Sequence, residues 1–345
     1  MRKSIPFTKI RARAPLRIGL AGGGTDISPY CDEFGGAVLN VTIDRFAFAS
    51  CIPRTDGRTV FEADDLGICE DWSDETASRL ELHRGVYRRM MQDYNGGEFI
   101  PLTLRTTVDA PAGSGLGSSS SLVVAMVDAL REILSAPLGP YEVARLAYEI
   151  ERIDLGLSGG RQDQYAAAFG GINYIEFLPN ERVIVNPLRA RRNVFCELES
   201  SLVVCFSGQS RQSAKIIDQQ TKAMKTANPT GMDALHQLKR DAEEMKSAFT
   251  EGDIDRMAEI LQSSWEAKKA TASAVSNSRI DDLLELGLSN GALAGKVSGA
   301  GGGGFIFFFV HPENRFRLMT ALNEADGHAA SLKFVEDGCE TWTFR

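Results

Sequence analysis

The 345 residues, 43% of them hydrophobic, can bury a substantial core in two domains or one large one. Against 46 Asp and Glu stand 38 Lys and Arg, and the net charge of -8 lacks the electropositive footprint of a nucleic-acid partner. Six cysteines without a C-x-x-C pair and four histidines without H-x-x-x-H indicate neither a disulfide framework nor a zinc site, and fit reduced thiols in a cytoplasmic protein.

The basic start, MRKSIPFTKIRARAPLRIGLAGGG, is interrupted by Arg11, Arg13 and Arg17 before the apolar stretch of a signal peptide can form. The longest uncharged run, 110–127, is half glycine, serine and proline and would insert poorly in a bilayer, so no membrane partner is expected. Apolar, partly alternating runs over 10–20 and 37–52 predict strands. Arg17 interrupts the first, and a buried guanidinium there requires a carboxylate or phosphate nearby. The run ends in LAGGGTD, where Thr25 and Asp26 either cap a helix over ISPYCDEF or bind sugar hydroxyls. A further strand, IPLTLRTTVDAP, feeds directly into PAGSGLGSSSSL. The following LVVAMVDALREIL places Leu122, Ala125, Met126, Ala129, Leu130 and Ile133 on one helical face and ends before Pro137.

A second helix, GPYEVARLAYEIERIDLG, has Pro140 near its start and Gly156 as its stop, and carries Glu151 at a position where glutamates are usually solvated. After a glycine turn, DQYAAAFG forms a third, with Asp163 at its start either as a cap or acting on a substrate. From about residue 200 a strand, SLVVCFSG, precedes two long amphipathic helices over 232–250 and 254–269, with a turn or loop at KTANPTG before them. Then GALAGKVSGAGGGGFIFFFVHP joins a glycine cluster to a short β-like run. Without regular βα alternation the pattern predicts α+β layers, in two domains covering 1–190 and 191–345.

Glycine lets backbone N–H groups crowd around an anion, and the unpaired N–H groups of a helix start add to the attraction. Strand, PAGSGLGSSSSL and helix in that order therefore point to phosphate held without a lysine, the bland alternative being a serine N-cap. Two literal matches fail on context. GAGGGG precedes a strand where a dinucleotide fingerprint must open a helix, and GALAGK is one residue short of a Walker A with Val297 in place of its Ser or Thr. The glycine cluster around Gly301 is expected over the nucleotide or against the first loop.

In order, PLRIGLAGGGTD, PAGSGLGSSSSL and VSGAGGGGF resemble the GHMP kinase superfamily of galactokinase, homoserine kinase, mevalonate kinase and phosphomevalonate kinase. Within it, LAGGGTD, YEIERIDLGLSGGRQDQYAAAFGGINYIEF and VIVNPLR resemble the D-glycero-D-manno-heptose 7-phosphate kinases. The resemblance implies a ribosomal-protein-like N-terminal α+β domain with a left-handed crossover, a ferredoxin-like C-terminal α+β domain, and ATP between them. It implies an ATP phosphate loop drawn from Pro111, Gly113, Ser114, Gly115, Leu116, Gly117, Ser118, Ser119 and Ser120. Mg2+ falls to Ser119 and Glu151, with Glu149 as the substitute because the loop before Asp163 is one residue longer than in mevalonate kinases. Asp163 takes the place of the catalytic aspartate and Arg17 that of its cationic partner. Thr25 and Asp26 match the sugar-binding end of the galactokinase motif, but Gly23 and Gly24 replace its Glu-His pair, and Gly160 and Gly301 complete the expected substrate-binding set.

The activity so implied is phosphorylation of the anomeric O1 of D-glycero-D-manno-heptose 7-phosphate to the 1,7-bisphosphate, toward a nucleotide-activated heptose for surface polysaccharide. The substrate's own phosphate needs a cationic seat. Arg161 is first choice, two residues from Asp163, ahead of Arg211, Lys268 and Lys269. The alternatives are a GHMP kinase of fucose, mannose or galactose, which needs no such seat, or a silent sugar or nucleotide sensor. Whether the chain forms a homo-oligomer stays open.

Overall fold

The computed structural model describes residues 8–72, 78–209, 213–226 and 228–344. It opens with β1 (Lys9–Ala21), α1 (Tyr30–Phe34) and the long β2 (Gly36–Pro53), followed by β3 (Val60–Ala63), β4 (Ile68–Asp71), α2 (Glu81–Tyr94) and β5 (Leu102–Val108). Next come α3 (Ser118–Leu134), α4 (Pro140–Glu149), α5 (Gln162–Phe169), β6 (Ile172–Leu178) and β7 (Arg182–Pro187). The rest of the chain forms α6 (Arg192–Ser200), β8 (Leu202–Phe206), α7 (Ser213–Lys225), α8 (Pro229–Glu251), α9 (Ile254–Thr271) and α10 (Ser278–Ser289). It continues through β9 (Ala292–Val297), β10 (Phe305–Val310), α11 (Pro312–Glu324), β11 (His328–Ala330) and β12 (Glu340–Phe344).

These strands form two sheets. The larger runs β12-β1-β2-β5-β3-β4, and β6 with β7 branches from β2, whose first residues pair with β6 and whose last pair with β5. Only β3 and β5 run parallel among its named pairs. The second sheet, β11-β8-β10-β9, is antiparallel and has the strand order of a ferredoxin-like unit. Residues 333–344 return to the first sheet: Val335 N donates to Thr42 O at 3.1 Å, and β12 pairs with β1 from Lys9↔Phe344 to Arg13↔Glu340.

Burial explains the strand sequences. The first half of β1 alternates, with Ile10, Ala12 and Ala14 buried and Arg11 exposed, but from Ala14 to Ile18 every residue is buried because α3 and α5 cover one side and α8 and α9 approach from the other. Arg17 is therefore enclosed. The unbroken FIFFFV of β10 has the same cause. Phe307 and Phe309 join a core shared with β1, β2, α8 and α9, while Ile306, Phe308 and Val310 face α10 and α11. Each of these rings, fully buried, stabilises the fold by roughly 1.5–3 kcal/mol.

The α3 sequence predicts one apolar face, yet Val123, Val124 and Val127 on its other sides are buried as well, since α3 packs on β1, β2, α2, α4 and α5. Leu122 and Ile133 of the predicted face are only partly covered. All six cysteines are free, and no described helix is long and apolar enough to cross a membrane.

Candidate active site

Between the two sheets lies a cavity of about 730 Å³ into which both glycine clusters, β1, α5 and α9 project. The start of α3 forms its floor. Gly113, Gly115 and Gly117 all take left-handed φ, 73° to 78°, a region open to glycine at little cost. No side chain caps α3. The serines do other work: Ser119 Oγ donates to Glu151 Oε1 at 2.9 Å, Ser120 Oγ accepts from Gln164 Nε2 at 3.0 Å, and Ser121 Oγ donates to Pro15 O at 2.9 Å. Residues 117–120 thus line the cavity with an uncapped helix N-terminus, where an anion is favoured by the exposed N–H groups and the helix dipole. Ser114 is fully buried and its hydroxyl has no hydrogen-bond partner among the described residues.

The second glycine cluster lies against the first. A Cβ on Gly299 would stand 2.9 Å from Gly115 Cα, and one on Gly115 would overlap Ser298 O. Ser298 Oγ donates to Gly115 O at 2.8 Å, so the turn before β10 shapes the loop before α3.

Arg17 ties these parts together. Its Nε and Nη2 reach Asp163 Oδ1 at 2.7 and 2.5 Å, and its Nη1 donates to Gly115 O at 2.6 Å. The guanidinium that the sequence required to find an anion finds Asp163 in the first turn of α5, whose side chain keeps 22% exposure toward the cavity. Asp163 also lies beside the loop: a Cβ on Gly117 would be 3.3 Å from its Cγ.

Glu151 is completely buried although its helix position suggests a solvated residue. The reason is local. After Glu149, α4 widens into a π-helical turn over Ile150–Asp154, closed by Leu155 N donating to Ile150 O at 3.0 Å, and the carboxylate turns inward to Ser119 and to Gln164 Nε2 at 2.6 Å. Glu149 instead points outward and pairs with Arg89 at 2.7 Å. Among the described residues no cluster of three or more His, Cys, Asp or Glu side chains has metal-binding geometry.

Elsewhere on the cavity wall, Asp26 Oδ1 accepts from Gly24 N at 3.0 Å and Oδ2 from Gln162 N at 3.1 Å. Gly160 packs so tightly on this carboxylate that a Cβ would overlap it. The Thr25 hydroxyl is turned away, within hydrogen-bond distance of Gly22 O at 2.8 Å and Ala37 O at 2.9 Å, and Pro111, Ser114, Leu116 and Gly301 do not line the cavity. Gly23 borders a small adjoining recess and accepts from Lys268 Nζ at 2.8 Å. Arg161 is buried away from the cavity, with its Nη2 on Asp32 at 2.9 Å and Ser28 at 3.1 Å and its guanidinium over the Tyr148 ring. Arg211 lies outside the described residues.

Several groups escaped the sequence reasoning. Gln162 and Gln164 read as ordinary helix residues, and Lys296 lay in a string dismissed as a false Walker motif. Burial pushes the Lys296 ammonium down to about 7, with Lys268 adding repulsion, and pushes Lys268 down to about 8 against the pull of Asp26.

A two-sheet frame with a lysine-free glycine loop at a helix start defines a class of small-molecule kinases. The chain belongs to the GHMP kinases, which use ATP: residues 81–171 match the GHMP kinases N terminal domain and residues 245–327 the GHMP kinases C terminal domain. Over 337 residues, 96% of this chain and 98% of the relative, it is 44% identical to D-glycero-alpha-D-manno-heptose 7-phosphate kinase of Campylobacter jejuni. It is similar throughout to the crystal structure of a D-glycero-D-manno-heptose 1-phosphate kinase from Bacteroides thetaiotaomicron, with a TM-score of 0.82, 42% identity and coverage of 97% of this chain and 99% of that one. Lactococcus lactis galactokinase complexed with galactose shares the fold at 18% identity, with a TM-score of 0.75 over 96% of this chain and 95% of that one.

Proposed function

We propose that this chain transfers the terminal phosphoryl group of ATP to the anomeric O1 of D-glycero-D-manno-heptose 7-phosphate, giving the 1,7-bisphosphate that a nucleotidyl-activating route to surface heptose would consume. The observation that carries the reaction type is the Arg17–Asp163 pair beside the uncapped start of α3 in one cavity. The substrate is supported by the near-full-length relatives named for heptose phosphates.

Phosphoryl transfer asks a protein mainly to position an in-line attack and to offset charge. In this reading the α3 amides and Ser118 to Ser120 hold the triphosphate. Asp163 orients the attacking hydroxyl and accepts its proton, and because an anomeric hydroxyl is more acidic than an ordinary alcohol a carboxylate suffices. Arg17 fixes that carboxylate by two contacts from one side. Asp26 is held by the backbone N–H groups of Gly24 and Gln162 and borders the cavity, a placement suited to sugar hydroxyls.

Ser119 Oγ and Glu151 fit Mg2+: both are hard oxygen donors, adjacent at 2.9 Å, on the cavity wall, and Mg2+ commonly takes one carboxylate plus substrate phosphates. Bound there, the ion would offset charge on ATP oxygens. Since Arg161 is engaged by Asp32, the cation on the sugar side is Lys268, whose ammonium gives one bond to Gly23 O. The working division of the chain is 1–190 and 191–345, with residues 333–344 of the second unit completing the first sheet and the ATP and sugar sites mostly in the first unit.

Purified protein with Mg-ATP and a panel of heptose 7-phosphate, mannose, fucose and galactose, followed by phosphorus NMR, tests this. A new anomeric phosphate signal from the heptose is expected. Turnover of a free hexose or fucose with the heptose ignored would sink the assignment.

A further inference from the structure

We infer that Arg152 binds a phosphoryl group within the kinase cavity, a role that rests on the proposed phosphotransferase reading but not on which sugar is used. Arg152 follows Glu151 in the π-helical turn, and both neighbours line the cavity, a pairing that the widened turn permits. The Arg152 side chain is 13% exposed. Among the described residues its polar contacts are all long: Nε to Gly160 O at 3.4 Å, Nη2 to Ser120 Oγ at 3.5 Å and Nη1 to Glu151 Oε1 at 3.6 Å.

A guanidinium satisfied by its own protein sits at about 2.7–2.9 Å or closer to its partners, as Arg17 does with Asp163 Oδ1 at 2.7 and 2.5 Å and Gly115 O at 2.6 Å. Arg152 does not reach that distance with any of these three partners, although it is nearly enclosed. The chain also makes room for it. A Cβ on Gly159 would overlap the Arg152 guanidinium, so a residue with a side chain there would displace it. What remains is a planar cation with unused donors between Ser120 at the α3 start and Gly160 beside Asp26. Phosphate oxygens match such a fork in charge and geometry.

Two phosphates enter this cavity on the proposed reading, the terminal one of ATP and the sugar's own. The nearness of Ser119, Ser120 and Glu151 favours the first. The test compares Arg152→Met and Arg152→Lys with wild type in calorimetric titrations of AMP-PNP and ADP with Mg2+, and in steady-state kinetics with heptose 7-phosphate and with the unphosphorylated heptose.

If Arg152 holds the terminal phosphate, Arg152→Met loses roughly tenfold or more in AMP-PNP affinity while ADP changes less than about twofold, and Arg152→Lys recovers part of it. If it holds the sugar phosphate, the nucleotide ratio is unchanged and KM rises about tenfold for heptose 7-phosphate but not for free heptose. Gly159→Ala, which displaces the guanidinium without removing it, should reproduce whichever pattern appears. The inference is overturned if neither ratio moves in a variant of unchanged Tm, or if all ligands weaken equally. Should wild type ignore every sugar while the AMP-PNP to ADP ratio still responds, the substrate assignment falls and this one stands.

Discussion

Replacing Arg17 separates catalysis from architecture, because one guanidinium holds both Asp163 and the Gly115 carbonyl. In Arg17→Met the carboxylate loses contacts of 2.7 and 2.5 Å from a side chain that is itself 4% exposed. Removing one member of a buried ion pair costs about 3–5 kcal/mol. Asp163 keeps 22% exposure, so water recovers part of its solvation, which places the loss near the lower end, about 3 kcal/mol. If the orientation of Asp163 is equally lost to the transition state, kcat falls by about two orders of magnitude.

Arg17→Lys retains the charge, but a single ammonium cannot span Asp163 and Gly115 O together, so kcat falls by roughly tenfold with a smaller loss of stability. ADP release at saturating ATP and sugar gives kcat, and scanning calorimetry gives Tm. A methionine variant within about threefold of wild-type kcat but lowered in Tm would reduce Arg17 to a structural tie and remove it from the proposed mechanism.

Asp163→Asn keeps the shape of the side chain but cannot accept the proton; turnover should fall by at least about a hundredfold while AMP-PNP binding is preserved, checked by calorimetry. Gly160→Ala drives a methyl group into the Asp26 carboxylate and should raise KM for the sugar with little change in KM for ATP. Glu151→Gln should raise the Mg2+ concentration giving half-maximal rate, measured by metal titration. Stability should rise with pH above neutrality, since the unfolded chain holds protons on Lys296 and Lys268 up to about pH 10.5 whereas the folded protein releases them near 7 and 8. The slope contributed by each is at most about 1.4 kcal/mol per pH unit, and Lys296→Met should flatten it in urea titrations at pH 7 to 9.

Local signals in the sequence carried much of this structure. A glycine loop between strand and helix, and a charged residue inside an apolar strand, are statements about a few neighbouring residues, and α3 with its loop and Arg17 were readable for that reason. Glu151 by itself was not, because helical phase predicts a solvated face and the π-helical turn changes that phase where it matters. The same turn hid Arg152. Arg161 looked well placed by its separation from Asp163, but it precedes α5 and swings to Asp32 across the chain. Lys268 lies on a helix that reads as amphipathic and charged, and its burial against Gly23 depends on how α9 meets β1. The pairing of β12 with β1 left no local trace at all.

That last pairing bears on how the protein is made. While the ribosome is still working, β1 can find β2 early, but its outer edge stays bare until nearly all of the remaining chain has emerged. A bare edge is a template for foreign strands, so the nascent first sheet spends most of synthesis needing protection, and a fragment cut after β7 would carry that hazard permanently. Joining residues 331–344 ahead of β1 in a rearranged gene would supply the missing strand at the outset.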